Sequence, residues 1–69
     1  MTIWVRNTKN GINEEFETNN LDFIRRSYDQ YADKDNMSDG DFKDLALLIV
    51  KKRYEGTRFD NLEWQVETE

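Results

Sequence analysis

Neither cysteine nor histidine occurs anywhere in the 69 residues of this chain. Without cysteine there is no disulfide framework and no thiolate, a composition that fits a reducing cytosol. Losing both residue types also removes most nucleophile–base arrangements and the commonest transition-metal ligands. Glycine is scarce, and no P-loop, dinucleotide fingerprint or G-x-S-x-G turn can be found. The longest apolar run, Leu45–Val50, falls far short of the roughly 20 residues that a membrane span needs. Residues Met1–Arg6 lack the basic region and apolar stretch of a secretory leader, so none is expected. Fifteen carboxylates remain as potential acids and bases, but a domain this small rarely encloses a pocket that desolvates them. A noncatalytic, cytoplasmic protein with no cofactor and no metal site is therefore expected.

What is present suffices for one small core. Hydrophobic residues make up 36% of the chain, with two Trp, three Tyr and four Phe among them, so residues 1–69 are expected to fold as a single domain. A core of this size with no covalent staple predicts a homodimer that completes it. The net charge is -5 and the isoelectric point about 4.6. Such acidity serves solubility. It also disfavours nucleic-acid backbones and anionic membrane surfaces, and it suits a basic protein partner steered electrostatically.

Residues 3–8 and 12–17 read as two strands around Asn10-Gly11, the dipeptide that favours a type I′ turn. A two-residue loop there sets Lys9 opposite Ile12, Val5 opposite Phe16 and Ile3 opposite Thr18. Trp4 then faces Glu17, and Arg6 faces Glu15. Ile3, Val5, Ile12 and Phe16 share one face, with Trp4, Arg6, Glu15 and Glu17 on the other. Asn19-Asn20 offers a cap for an amphipathic helix over Leu21–Ala32, whose stripe is Leu21, Ile24, Tyr28 and Tyr31 and leaves Arg25 and Arg26 outside it. Ser38 and Asp41 resemble a capping box that opens a second helix over Asp39–Tyr54. Phe42, Leu45, Ala46 and Ile49 form its main apolar row; Lys51, Lys52 and Arg53 close its last turn, and Gly56 is placed just past its end. From Arg58 to Glu69, the alternation of Leu62, Trp64 and Val66 with Glu63, Gln65 and Glu67 marks a half-buried strand that adds to the hairpin. The predicted fold is a ββααβ-like α+β domain.

Three groups of residues stand out as candidate sites. The first is acidic: Asp29, Asp33, Asp35, Asp39, Asp41 and Asp44 are interrupted only by Lys34 and Lys43, and Glu14, Glu15 and Glu17 lie on the second strand. Set along one surface, these acids would imitate a row of phosphates and engage a partner that normally binds nucleic acid. Asp33–Gly40 also invites a calcium-loop reading, which fails. Starting at Asp33 puts Met37 and Ser38 at the fifth and sixth positions, and starting at Asp35 puts Met37 at the third and Ala46 at the twelfth. The second group is basic: Lys51, Lys52, Arg53 and Arg58, interleaved with Tyr54 and Phe59, form a pattern that can grip single-stranded nucleic acid or complement a helix dipole. The third is Trp4, a large aromatic expected either to be covered by a helix or second subunit or to serve as a binding anchor. In composition the chain resembles small proteins of phages and mobile elements that inhibit a host enzyme or nucleoid protein, a likeness that assigns no residues. The expected function is an acidic interaction module, with an inhibitor or modulator of a host protein as its leading form. A nucleic-acid-contacting regulatory module and a structural or assembly subunit are the alternatives.

Overall fold

Alternation of Thr2, Trp4 and Arg6 with Ile3, Val5 and Asn7 gives the first strand two unlike faces. The computed structural model, which describes all of residues 1–69, places that strand, β1 (Thr2–Asn7), at the centre of a three-stranded antiparallel sheet. β2 (Ile12–Glu17) pairs with one edge of β1 and β3 (Gln65–Thr68) with the other, giving the order β2-β1-β3. A 16-residue helix, α2 (Asp39–Tyr54), lies across the face that carries Ile3 and Val5. A one-turn helix, α1 (Asp22–Arg25), and short 3-10 turns complete the helical layer. The architecture is α+β and ββααβ-like, as expected, and no helix is long and apolar enough to cross a membrane.

The hairpin forms with a register two residues from the expected one. Asn7 pairs with Ile12, Val5 with Glu14 and Ile3 with Phe16, while Trp4 faces Glu15 and Arg6 faces Asn13. The loop is Thr8–Gly11 rather than Asn10-Gly11 alone, and Thr8 belongs to a 3-10 turn instead of the strand. The cause is Asn7, which is buried at 7% exposure. Its side-chain Oδ1 accepts from the Asn10 backbone N–H at 3.0 Å and from the Asn10 side-chain amide at 2.9 Å, while its Nδ2 donates to the Glu63 backbone carbonyl at 2.9 Å. An asparagine that bonds local backbone in this way supplies a turn of its own. Gly11 closes it at φ 67°, in the left-handed region that glycine enters without steric cost. A shift of two residues preserves strand parity, so Ile3, Val5, Ile12 and Phe16 still share the core face.

α2 matches its expected bounds because its ends are encoded locally. The Ser38 hydroxyl accepts from the Asp41 N–H at 3.2 Å, and the Asp41 carboxylate accepts from the Ser38 N–H at 2.9 Å. Asp39 and Asp41 lie at the positive end of the dipole, and Lys51, Lys52 and Arg53 at the negative end. At the C-terminus, Gly56 adopts φ 76° as the third residue of a turn closed by Thr57 N–H to Tyr54 C=O at 3.1 Å. Phe42, Leu45, Ala46 and Val50 are the buried positions of α2, with Ile49 only half-buried. They pack with Ile3, Val5, Leu21 and Tyr31 into the single core.

The helix expected over Leu21–Ala32 is not continuous. The chain enters through a 3-10 turn at Thr18–Leu21 with no side-chain cap from Asn19 or Asn20, makes one α-turn, and becomes extended at Tyr28. Arg25 accounts for the break. It lies at 6% exposure, inside the fold and not outside the stripe. Its guanidinium pairs with Asp22 at 3.1 Å and reaches forward to donate to the Ala32 carbonyl at 2.7 Å. In a helix the Arg25 side chain would lean toward the N-terminus, away from residue 32. Folding back also buries Tyr31, with Tyr28 set edge-on to it at 6.3 Å. β3 is likewise shorter than the half-buried strand expected: residues before Gln65 turn through Asn61 at φ 63°, and Trp64 stacks on Tyr54 at 5.5 Å before pairing begins.

Arg25→Ala removes the bonds to Asp22 and to the Ala32 carbonyl and leaves a cavity where the buried side chain was, so urea unfolding should register a loss of about 2–3 kcal/mol. The hydrogen bond from Arg25 holds the Asp22 carboxyl below its ordinary 3.8, with Lys34 adding to the effect against partial desolvation. A depressed carboxylate contributes stability that is complete above its ordinary value and is lost as pH falls through the depressed one. Melting temperature measured from pH 6 down to pH 2 should therefore fall less steeply in Asp22→Asn than in the parent.

Candidate functional site

The helical layer covers only one side of the sheet. On the other, exposed Asn13, Glu15 and Glu17 of β2 and exposed Gln65, Glu67 and Glu69 at β3 border the central strand. Pairing sets Trp4 between Glu15 on one neighbour and Glu67 on the other. The indole N–H donates to the Glu15 carboxylate at 2.8 Å. The Arg6 guanidinium sits 5.1 Å from the centre of the Trp4 ring, donates to Glu67 at 2.7 Å and to the Asn13 side chain at 3.0 Å. One step along β1, the Thr2 hydroxyl meets two carboxylates, Glu17 and, at 2.8 Å, Glu69. Trp4 is half-buried: neighbouring side chains flank it and no helix overlies it. Four carboxylates (Glu15, Glu17, Glu67, Glu69) thus surround one indole and one guanidinium on an otherwise open surface. Arg6 and Glu67 have side chains exposed by 31% and 53%, so water screens their pairing and leaves both able to exchange partners.

The remaining acids named from the sequence do not join this face. Glu14 points to the helical side, where its carboxylate accepts from Arg53 at 2.7 Å and from the Tyr54 hydroxyl at 3.0 Å. Partial burial and that carboxylate both push the Tyr54 phenol above its ordinary 10.0, so it stays a neutral donor. Asp33 accepts from the Asp35 N–H and the Asn36 amide, and Asp41 belongs to the Ser38 capping box. Asp29, Asp35, Asp39 and Asp44 are exposed in the helical layer, on its turns and the first part of α2. The acids form two groups on different layers and not one row.

The basic cluster is exposed, but most of its side chains already contact groups of this chain. Arg53 is held by Glu14, Lys52 lies 5.3 Å from the Tyr28 ring centre and Arg58 lies 4.6 Å from that of Phe59. Lys51 makes no such contact, and the shallow depression beside it also holds Glu55 and Asp60. The sequence places Arg6 on one face with Trp4, Glu15 and Glu17, but not Thr2, Glu67 and Glu69. The signal available was the alternation of Gln65 and Glu67 with Val66, which marks a solvent face without saying which edge of the hairpin it joins.

No protein-family model, curated protein or solved structure matches this chain.

Trp4 contributes to a surface and not to the core. Trp4→Ala should therefore cost about 1 kcal/mol in chemical unfolding, against about 2–5 kcal/mol for Leu45→Ala.

Proposed function

We propose that this chain is a noncatalytic interaction module whose open sheet face receives a basic surface of a partner protein. The observation that carries the reading is Trp4, set at the centre of an uncovered sheet face and ringed by Glu15, Glu17, Glu67 and Glu69. A planar aromatic anchored by its N–H offers a ring face to an arginine or lysine, an interaction that strengthens when water is excluded. Glu15 and Glu67 stand on the strands flanking β1, roughly 10 Å apart by strand spacing, so a partner engages both by presenting more than one cation. The Arg6–Glu67 pair is itself exposed, so an incoming cation can share Glu67 with Arg6, which keeps its contacts to Asn13 and the Trp4 ring. The net charge of -5 steers such a partner from a distance. The same chemistry favours partners that bind nucleic acid, and a chain occupying their basic surface acts on them as an inhibitor or modulator. The alternative through Lys51, Lys52, Arg53 and Arg58 is weakened by the contacts those side chains already make.

The test is capture of partners from a bacterial lysate on immobilised protein, with Trp4→Ala and Glu15→Gln/Glu67→Gln as controls that keep the native circular dichroism. A basic protein should be retained at low salt by the parent alone. It should be released near 0.5 M salt, where screening acts over roughly 4 Å. Equal retention by parent and variants would sink the reading. A gel shift with single- and double-stranded oligonucleotides should show no complex.

A further inference from the structure

β2 is an edge strand: it pairs with β1 alone, and no loop or cap bonds to the backbone of Ile12–Glu17 on its outer side. Unpaired strand edges are templates for another strand. Beside this edge, on the helical side, runs a groove of about 340 Å³ in which five apolar residues, Phe16, Phe23 and Ile49 among them, are bordered by polar ones that include Arg53. Phe23 is 81% exposed and is the one large apolar side chain standing in solvent. On the other side of the same edge lie Glu15 and Glu17. A strand laid along β2 would alternate its side chains between these two surfaces, one apolar and one acidic.

We infer that the partner is taken up as an extended segment in which basic and apolar residues alternate, added to the free edge of β2. The inference rests on the binding reading above and specifies how the partner is held. Main-chain hydrogen bonds to β2 supply affinity, and the two surfaces supply specificity. Basic side chains meet Glu15 and Glu17 on the open face, and apolar ones enter the groove over Phe16 and Ile49, with Phe23 folding across them. A second copy of this chain is a poor occupant. Antiparallel self-pairing centred on Glu14 or Glu15 sets that glutamate against its own copy, and centring on Phe16 sets Glu15 against Glu17; like charges directly opposite destabilise a pair. Glutamates acting only as edge guards would leave Phe23 without a role. β3, the other edge, is shorter and has no comparable apolar groove beside it.

The experiment titrates isotopically labelled protein with a synthetic octapeptide alternating lysine and valine, read by amide chemical shifts and hydrogen exchange. Controls are the same peptide N-methylated at every second residue, an all-lysine octapeptide, and the Phe23→Ala and Trp4→Ala proteins. The expected result is slowed exchange of outward β2 amides, with affinity about tenfold lower for the N-methylated peptide and about fivefold lower for Phe23→Ala. Because Phe23 is exposed, its variant keeps the parent's stability, which the unfolding curve verifies. Binding that ignores N-methylation and Phe23, yet is lost in Trp4→Ala, overturns the edge mode and leaves the acidic-face reading standing. Failure of both the lysine–valine and all-lysine peptides to bind at low salt overturns both.

Discussion

A single buried amide ties the two strand pairings together. Asn7 shapes the hairpin loop through Asn10 and, with its other end, holds the Glu63 carbonyl two residues before β3 begins. One side chain thereby fixes where β2 starts on one edge of β1 and where β3 arrives on the other. The consequence reaches the opposite end of the sheet. Because both neighbours are locked at the Asn7 end, Glu15 and Glu67 come to stand on either side of Trp4. Glu17 and Glu69 come to meet at Thr2 in the same way. A buried amide bonded at both its oxygen and its nitrogen specifies geometry better than apolar packing does, since any other register would strand one or the other.

The two layers handle charge differently. In the helical layer many ionic groups are matched locally: Arg25 with Asp22, Arg53 with Glu14, Asp41 with its cap, Lys52 and Arg58 with aromatic rings. Their energies go into holding turns and helix ends. On the sheet face, acids outnumber cations and the aromatic is only half covered. The helical layer keeps exposed acids of its own at Asp29, Asp35, Asp39 and Asp44; what sets the sheet face apart is that its carboxylates stand around a half-covered indole.

How much of this was legible in the sequence depends on how local the determining interaction is. Ser38, Asp41, Gly56 and the basic last turn encode α2 within a few residues of its ends, so its bounds are readable. Strand parity is also local, so the faces of the hairpin survive the misplaced register. Parity further separates Glu14 from Glu15 and Glu17, so treating the three as one surface ignores a signal the strand contains. The loop length was misread because Asn-Gly competes with the turn that Asn7 makes with Asn10, and burial of Asn7 against the Glu63 carbonyl, which favours that turn, is not visible in the local sequence. Nor was the end of α1: nothing in the spacing of Leu21, Ile24, Tyr28 and Tyr31 shows that Arg25 will bond the carbonyl of residue 32. Trp4, Glu15 and Glu17 were visible as candidates, whereas Glu67 and Glu69 join them only through the pairing of chain ends.

The Thr2 hydroxyl, placed between Glu17 and Glu69, carries one proton and two claimants. It satisfies one carboxylate at a time, so the other always holds an acceptor in reserve, and the pair can trade the bond without moving the backbone. Whichever way the hydroxyl turns, it ties the end of β2 or the end of the chain to the first strand, so both flanks of the sheet share a single donor at this corner.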